Sequence, residues 1–440
     1  PYRRQRQMCI RDSSYRWGKA DRLLATEDSR RGTTRYGYTP NGQLEYAEYG
    51  DGTEQWRKSD SVGNLYPDPD CTVRRFLKGG AMEQDGKWHC KYDKDGNLTE
   101  RYIGTGRWLD GKKEHWKYRW NADGSLAKVV RPDGEEVTFE YDALGRRLSK
   151  GFGTTVTRWM WNGNVPLHQW IQHRTYSWND GNWEMEQEHS GRLLWLFDER
   201  SFVPVAMIKE GRAYSIMTDH LGTPTQAYDP EGNEVWSRML DMDGNVLEET
   251  GNIGMIPFLF QGQYFDRETG LAYNRFRYYS PQMGIYISQD PIRLEGGVTN
   301  IYAYVNDTNV WNDIFALAGS GGAYMFGFES GEMYIGKGEI NRMKKSIITR
   351  SKQVQNPKLI GAAHVSTHGN NELGKMVEYK AMRDAGFEHG SIPPNYLNTY
   401  LSGETAWNAN PSLRTEATQL ANKLKADFNA DVERLSLIHI

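Results

Sequence analysis

The chain has 440 residues, which is enough for two to three domains, and its formal net charge of −3 excludes a uniformly basic or acidic chain. No run of 18 apolar residues occurs, so no helical membrane span is expected, and no secretory signal is visible. The three cysteines include no CxxC pair, which excludes a disulfide framework and a cysteine-based zinc site.

The two ends of the chain differ from the sequence beside them. Residues 1–12 and 435–440 match no flanking periodicity and resemble translated sequencing-adapter read-through, so we set them aside from the fold prediction. A genuine basic arm is the alternative for the first segment. On the read-through interpretation, the chain is a fragment of a longer protein.

A short pattern recurs between about Tyr15 and Leu247: an aromatic residue, Asp or Asn, one or two residues, Gly, a small residue, then Leu or Val. Asp-Gly and Asn-Gly tolerate the positive φ of two-residue hairpin turns, and the flanking runs alternate. Each copy predicts a β-hairpin, with a period of about 20 residues. One hairpin cannot bury its own face, so the hairpins are expected to stack into one long, curling sheet. Copies include Tyr92–Leu98, Trp120–Leu126, Tyr141–Leu148 and Tyr228–Asn233.

These repeats resemble the YD repeats of the Rhs (rearrangement hotspot) family, most specifically between Asp219 and Asn306. The segments that look like the end of an Rhs core are Asp219–Pro224, Gln261–Leu271, Asn274–Pro281, Ile287–Pro291 and Asn300–Asn306. Rhs proteins form a hollow β cocoon around a variable C-terminal toxin. The resemblance implies a mainly β fold, a curled sheet of stacked β-hairpin repeats forming part of a cocoon, with a small C-terminal α/β domain.

The composition changes near Leu317, which suggests the domain boundaries. We predict a YD-repeat shell over residues 13–217, an Rhs core-associated domain over 218–317 and a toxin domain over 318–434.

Rhs cores usually end in an aspartyl autoprotease motif, Pro-x4-Asp-Pro-x-Gly-Leu, that is cut after the Leu. The matching positions here are Thr308, Asp313, Ile314, Ala316 and Leu317. The Asp and the Leu are kept, whereas both prolines and the glycine are missing. Paired carboxylates that share a proton can activate water, and the resemblance implies Asp290 as the partner of Asp313. The departures leave two alternatives open, self-cleavage after Leu317 or a turn that Asp313 simply caps.

From Ala318 onward the pattern predicts an α/β domain. Strands are expected over Ala323–Phe328 and Met333–Gly336, followed by a basic helix, and later helices over Leu373–Ala385 and Arg414–Phe428. The glycines and asparagines around residues 361–371 predict a loop there.

Strand, turn, strand and helix with a tyrosine on each strand resembles the GIY-YIG nuclease family. Gly322-Ala323-Tyr324 corresponds to the first motif, with Ala where Ile is usual, and Tyr334-Ile335-Gly336 matches the second. The family uses a tyrosine as general base together with an Arg, a Glu and often an Asn. The implied catalytic residues are Tyr324, Tyr334, Lys337, Arg342 (with Arg350 as the fallback), Glu378 and, as an auxiliary group, Asn395 or Asn398.

These residue types suit phosphodiester hydrolysis. Lys337 and Arg342 would lower the pKa of a neighbouring phenol by favouring phenolate, and Arg342 can hold a phosphate oxygen. Glu378 would bind one Mg²⁺ or another divalent cation through a hard oxygen ligand. His364 and His368 lie four residues apart and are candidate auxiliary groups, although no third ligand accompanies them.

Charge favours a nucleic acid as the substrate. Between residues 337 and 358 there are seven basic residues and one acidic residue, Glu339. Such a face can follow a phosphate backbone, and a merely solvated helix face is the alternative.

The combined resemblance implies part of an Rhs-type interbacterial toxin whose C-terminal domain is a metal-dependent DNase. It would be delivered into the cytoplasm of a target cell by a secretion machine such as type VI secretion, in contact-dependent competition. The implied partners are DNA, a cognate immunity protein and secretion-system spike or adaptor proteins. Two alternatives stay open: an RNase or other toxin chemistry on the same shell, and a non-enzymatic cell-surface YD-repeat protein that binds a partner.

Overall fold

The computed structural model describes the chain at residues 13–18, 22–40, 42–104, 113–179, 182–198, 201–291, 300–314, 316, 322–337, 347, 350, 359–366, 371–388, 396, 404–409 and 411–437. The chain divides into two compact units. The N-terminal unit is Pro1–Pro291 with Asn300–Leu317, and the C-terminal unit is Ile292–Thr299 with Ala318–Ile440.

The N-terminal unit is built from antiparallel strands that pair in chain order. Its first sheet has five strands among the described residues, β1 (Ser13–Trp17), β2 (Leu23–Asp28), β3 (Gly32–Tyr38), β4 (Leu44–Glu48) and β5 (Glu54–Trp56). A short ladder of β6 (Lys58–Ser59) and β7 (Leu65–Tyr66) follows.

The largest sheet has sixteen strands within the described parts of the chain, each paired with its neighbours in sequence. They are β8 (Arg74–Phe76), β9 (Met82–Asp85), β10 (Trp88–Tyr92), β11 (Leu98–Ile103), β12 (Lys113–Trp120), β13 (Leu126–Val130), β14 (Glu136–Tyr141), β15 (Arg147–Phe152), β16 (Thr155–Asn162), β17 (Val165–Asn179), β18 (Asn182–Phe197), β19 (Pro204–Lys209), β20 (Arg212–Thr218), β21 (Pro224–Tyr228), β22 (Glu234–Leu240) and β23 (Val246–Gly251). The predicted long sheet of stacked hairpins, and with it the mainly β fold class, is confirmed.

The turns of the four repeats named above are longer than the two-residue turns that the sequence predicts. The turns Gly153-Thr154 and Glu210-Gly211 do have two residues. In the turn after β10, Tyr92 pairs with Leu98, and the N–H of Asp93 donates to the carbonyl of Asn97 at 2.9 Å. Gly96 has a φ of 79°, as in the longer hairpin loop that combines a type I turn with a left-handed residue. The carboxylate of Asp93 accepts hydrogen bonds from the N–H groups of Asp95 and Asn97 at 2.9 Å. This turn is thus closed by its own side chain.

A small sheet completes the core of the N-terminal unit. It consists, in the described residues, of β24 (Tyr264–Asp266), β25 (Leu271–Asn274), β26 (Arg277–Ser280) and β27 (Ile285–Tyr286). Its Tyr273, Tyr278 and Ile285 belong to the same buried cluster as Leu126 and Val137 of the largest sheet. Burial of this apolar surface stabilises a stack that its hairpins could not maintain separately.

The C-terminal unit combines a small antiparallel sheet with helices. In the described residues its strands are β28 (Gly322–Phe328), β29 (Met333–Lys337) and β30 (Leu359–Ser366), in the order β29-β28-β30. The helices are α1 (Asn371–Asp384), α2 (Glu404–Ala409), a 3₁₀ turn (Pro411–Leu413) and α3 (Arg414–Leu437). None of the helices in the described residues has both the length and the apolar character needed to cross a bilayer.

The predicted hairpin and the two later helices are confirmed, with α3 extending to Leu437. The loop predicted around residues 361–371 is wrong for its first part, because β30 extends to Ser366 and α1 begins at Asn371. Gly361 pairs with Gly327 of β28, so a distant partner strand overrides the weak strand preference of this glycine. Of the predicted basic helix, Ile347 and Arg350 are described, and both are helical.

Candidate functional site

Alternation along β28 gives the C-terminal sheet two different faces. On one face, Met325 and Ile335 of the sheet belong to the same buried cluster as Met376 and Val377 of α1. The alternate positions form a second buried cluster, Tyr324, Phe326 and Phe328, against which Tyr334, Ile347 and Ala362 pack.

The two predicted catalytic tyrosines lie together in the second cluster. Tyr324 pairs with Gly336, and Phe326 pairs with Tyr334, so the tyrosines are diagonal neighbours. The centroids of their rings are 6.2 Å apart at an interplanar angle of 28°. Tyr324 is buried, with 1% of its surface exposed, whereas Tyr334 is half-buried. The structure therefore presents Tyr334 to solvent more readily than Tyr324.

Arg350, the fallback arginine, contacts Tyr334. Its guanidinium carbon lies 4.7 Å from the centroid of the Tyr334 ring, within the range of a cation–π interaction. This places a positive charge beside the more accessible phenol.

Glu378 lies on α1 and is buried, with 7% of its surface exposed. It follows Val377, which packs on the Met325 side of the sheet. No group of three or more His, Cys, Asp or Glu residues that could hold a metal occurs among the described residues. The helix that carries Glu378 packs on the face of the sheet opposite Tyr324 and Tyr334.

The other predicted residues of this site are placed only in part. Lys337 ends β29, where it pairs with Ala323. His364 lies in β30 and pairs with Tyr324, rather than in a loop. Arg342, His368, Asn395 and Asn398 lie outside the described residues.

A second candidate site lies in the N-terminal unit, where Asp290 and Asp313 meet at one guanidinium. The Nη2 of Arg277 lies 2.8 Å from Oδ2 of Asp290 and 3.3 Å from Oδ2 of Asp313. Arg277 and Asp290 are each 1% exposed, and Asp313 is 6% exposed. The structure therefore brings together the two carboxylates that the Rhs resemblance pairs, with a positive charge between them.

The segment after Asp313 is fixed to the same arginine. The Nε of Arg277 donates a hydrogen bond of 2.5 Å to the carbonyl of Ala316, the residue before Leu317. Ala316 has a φ of 54°, a left-handed conformation that a non-glycine residue rarely adopts. The glycine that the family motif has here would adopt it without strain. Leu317 itself lies outside the described residues.

Two further side chains hold Asp313 in place. The hydroxyl of Tyr286 donates to Oδ2 of Asp313 at 2.8 Å, and Asn274 donates to its backbone carbonyl at 2.8 Å. Burial, followed by the negative charge of Asp313, raises the pKa of Tyr286 well above its usual value, so Tyr286 stays a donor. Arg277, Tyr286 and Asn274 were not predicted from the sequence. The first and last lie in the segment matched to the Rhs core, but nothing in the sequence connected them to Asp313.

The chain is similar in sequence to several known proteins. The chain is 29% identical over 335 residues to Double-stranded DNA deaminase toxin A of Burkholderia cenocepacia (strain H111), covering 70% of this chain and 22% of that protein. It is 29% identical over 332 residues to Probable deoxyribonuclease RhsA of Dickeya dadantii (strain 3937), covering 67% of this chain and 21% of the relative. The chain thus spans about a fifth of the length of these relatives.

A solved structure and a family model also match. The crystal structure of TcdB2-TccC3 without its hypervariable C-terminal region is 15% identical, with a TM-score of 0.42, over 69% of this chain and 18% of that chain. The family model described as Teneurin YD-shell matches residues 8–311. Because this match includes most of the chain, the protein belongs to the Teneurin YD-shell family.

Proposed function

We propose that this chain is part of an Rhs-type toxin whose C-terminal unit is a GIY-YIG-like endonuclease that hydrolyses DNA with Mg²⁺ or another divalent cation. The observation that carries the proposal is the stacked pair Tyr324 and Tyr334 on one sheet face, with the guanidinium of Arg350 at 4.7 Å. The names of two relatives, a probable deoxyribonuclease and a DNA deaminase toxin, support DNA as the target.

The residues have distinct roles in this proposal. The half-buried Tyr334 accepts the proton of the attacking water, since general base catalysis needs contact with that water. The buried Tyr324 positions the Tyr334 ring. Arg350 takes the role first assigned to Arg342, stabilising negative charge at the phosphate. Glu378 would hold the divalent cation, which supplies charge neutralisation at the phosphate when bound.

Delivery belongs to the same proposal. Among the relatives is Toxin protein Tse5 of Pseudomonas aeruginosa, 28% identical over 66% of this chain and 26% of that protein. A toxin of this kind would be carried by secretion-system spike or adaptor proteins into the cytoplasm of a target cell. A cognate immunity protein would protect the producing cell.

Plasmid nicking by the full chain tests the nuclease proposal, with Mg²⁺ and with EDTA. We expect Mg²⁺-dependent nicking that Glu378→Gln and Tyr334→Phe each reduce by at least about 100-fold. Glu388→Gln is the matched control, because Glu388 is an exposed glutamate beyond the end of α1.

Intact plasmid from folded protein under every condition would refute the DNase. Cleavage of RNA alone, measured in parallel, would favour the RNase alternative. Equal nicking by Glu378→Gln and Glu388→Gln would remove Glu378 from the site.

A second activity is favoured by the Arg277 cluster, namely self-cleavage after Leu317. Asp290 and Asp313 lie on one guanidinium, which also holds the carbonyl of Ala316 beside the expected scissile bond. Water activated by one carboxylate would attack that bond, with the other as the acid.

Mass spectrometry of the purified chain checks this step. We expect a cut after Leu317 that Asp290→Asn and Asp313→Asn abolish. Asp307→Asn should leave the cut unchanged, because this buried aspartate instead accepts a hydrogen bond from the N–H of Asn309 at 2.9 Å. An uncut wild-type chain would leave Asp313 with a structural role.

A further inference from the structure

The first sheet of the N-terminal unit, β1 to β5, packs against the end of the largest sheet. We call this contact the seam, and it joins residues 13–57 to residues 219–248 and 305–309. In the described residues, no strand of one sheet pairs with a strand of the other, so side-chain contacts hold the two sheets together. At the rim of the seam, the guanidinium of Arg30 donates hydrogen bonds of 2.7 and 2.8 Å to the carboxylate of Glu234.

The interior of the seam is loosely packed. Its buried apolar cluster is small and consists of Leu44, Ala47, Tyr49 and Met242. Tyr49 and Met242, one from each side of the seam, also line a cavity of about 160 Å³. A small apolar cluster beside a cavity is typical of an element that opens at a lower free energy than the rest of its domain.

The carboxyl group of Asp241 faces the first sheet from the turn after β22. Its Oδ2 accepts a hydrogen bond of 3.2 Å from Nε2 of Gln55, which also donates to Asp243 at 3.1 Å. The guanidinium of Arg57 pairs with Asp243 at 2.9 Å. The hydroxyl of Tyr49 accepts from the N–H of Met242 at 3.2 Å and so faces the same turn. Two neighbouring carboxyl groups of this turn thus meet one cation from the first sheet.

Burial in the seam changes the acidity of Asp241. Burial, followed by the negative charge of Asp243, raises the pKa of Asp241 to about 7. Asp229 begins a like turn after β21, and it accepts from Asn233 the same two hydrogen bonds that Asp241 accepts from Asn245. There the side chain of Asn233, above all, holds the pKa of Asp229 below its usual value. The opposite directions in two like turns follow from the burial that Asp229 lacks.

Two further carboxyl groups of the seam behave like Asp241. Burial raises the pKa of Asp307 to about 6, although the cations Arg57 and Arg22 oppose the rise. Burial also raises the pKa of Asp219, against the effect of His220. The other ionisable groups that face the seam are Tyr15, Tyr36, Tyr38, Glu27, Asp28, Arg31 and Arg238. The closed seam therefore binds protons on its carboxyl groups more tightly than water-exposed carboxyl groups do.

We propose that the seam is a proton-dependent switch, which keeps the first sheet closed on the largest sheet in acid and lets it separate as the pH rises through neutrality. This regulation is independent of both proposed activities. Rising pH ionises Asp241 beside Asp243, and the single cation Arg57 then faces two carboxylates. Separation of the sheets returns these carboxylates to water, which solvates them.

The sign follows from the raised pKa values. Protonated carboxyl groups stabilise the closed seam, and this contribution is complete below the usual carboxyl pKa of about 4. It is lost as the pH rises through about 6 for Asp307 and about 7 for Asp241. Between these limits, each released proton raises the equilibrium constant for opening by up to about tenfold per pH unit.

Hydrogen exchange of the full chain, followed by mass spectrometry at pH 5 and pH 8, tests the switch. Protection factors correct for the intrinsic pH dependence of exchange and report the opening of each segment. From pH 5 to pH 8, protection of residues 23–56 should fall by at least about 100-fold. At pH 8 it should also be at least about tenfold lower than that of residues 126–162, because the first sheet opens alone. Asp241→Asn should make the fall at least about tenfold smaller, and the matched variant Asp229→Asn should behave as wild type.

Equal protection of residues 23–56 at both pH values in wild type would overturn the proposal, and this comparison needs no variant. Equal protection of the two segments at pH 8 would also overturn it, because the unit would then unfold as a whole. The same fall in Asp241→Asn and Asp229→Asn would do so too. Asp307→Asn is the second variant if Asp241→Asn does not fold, and it should make the fall at least about threefold smaller.

Arg30→Gln separates the strength of the seam from its pH dependence. Loss of the contact with Glu234 should lower the protection of residues 23–56 by a similar factor at pH 5 and pH 8, because this pair lies at the exposed rim. A reduced pH dependence in Arg30→Gln, equal to that of Asp241→Asn, would contradict the switch, because any weakening of the seam would then have the same effect.

Discussion

The sheets of the two units differ in how far apart along the chain their paired strands lie. In the N-terminal unit, each described strand of the largest sheet pairs with its neighbours in sequence, and turns such as the one after β10 are closed by their own aspartate. In the C-terminal unit, β28 lies between β29 and β30, and residues 329–358 separate β28 from β30 along the chain. Local chemistry is sufficient to specify the first sheet, whereas the second also depends on a distant strand.

The largest expected effect is a loss of stability in the N-terminal unit alone. Arg277→Met leaves the carboxylates of Asp290 and Asp313 buried without their cation, which should lower the free energy of unfolding by about 3–5 kcal/mol. Urea unfolding of the full chain measures the loss. Arg35→Met is the control, since the exposed pair of Arg35 with Glu48 should contribute less than about 1 kcal/mol. Equal losses would mean that the Arg277 cluster is not stabilising.

A matched pair of valines sharpens the comparison of the units. Val137 and Val377 are both fully buried, one in each unit. Val137→Ala and Val377→Ala should each cost about 2 kcal/mol through lost burial and a small cavity. Hydrogen exchange followed by mass spectrometry should show faster exchange only in the unit that carries the substitution. Faster exchange in both units from either variant would show that they unfold together.

The same contrast explains what the sequence could predict. The repeats were predictable because residues such as Asp93 and Gly96 determine a turn within a few positions. The hairpin of β28 and β29 was predictable for the same reason. The strand β30 was missed because Gly361 belongs to a strand only through its pairing with Gly327.

The candidate sites follow this rule as well. The proximity of Tyr324 and Tyr334 could be predicted, because one short hairpin joins their strands. The contact of Arg277 with Asp313 joins residues 36 positions apart that share no local pattern.

A pH-dependent prediction concerns Asp241 of the N-terminal unit. Burial, together with the negative charge of Asp243, raises the pKa of Asp241 to about 7. A raised carboxyl pKa means that the folded state binds the proton more tightly, so stability falls as the pH rises from about 4 to about 7. Asp241→Asn should remove this dependence and stabilise the protein by roughly 1–3 kcal/mol at pH 8, relative to wild type. The urea midpoints of wild type and Asp241→Asn at pH 4 and pH 8 measure this effect. An equal change in midpoint between the two pH values for both proteins would contradict the prediction.

The smallest expected effect concerns the contribution of one turn aspartate, Asp123, to the stability of the N-terminal unit. The hydroxyl of Ser125, at 2.7 Å, and then its N–H, at 2.9 Å, hold the pKa of Asp123 below its usual value. A lowered carboxyl pKa gives stability that is present above about 3.9 and is lost as the pH falls through the folded value. The free energy of unfolding falls between pH 5 and pH 2 as Asp123 gains a proton. Asp123→Asn should make this fall smaller by less than about 1 kcal/mol. Asp95→Asn, at the equivalent position of the preceding repeat, is the control, and the same flattening in both variants would argue against the Ser125 contact as the cause.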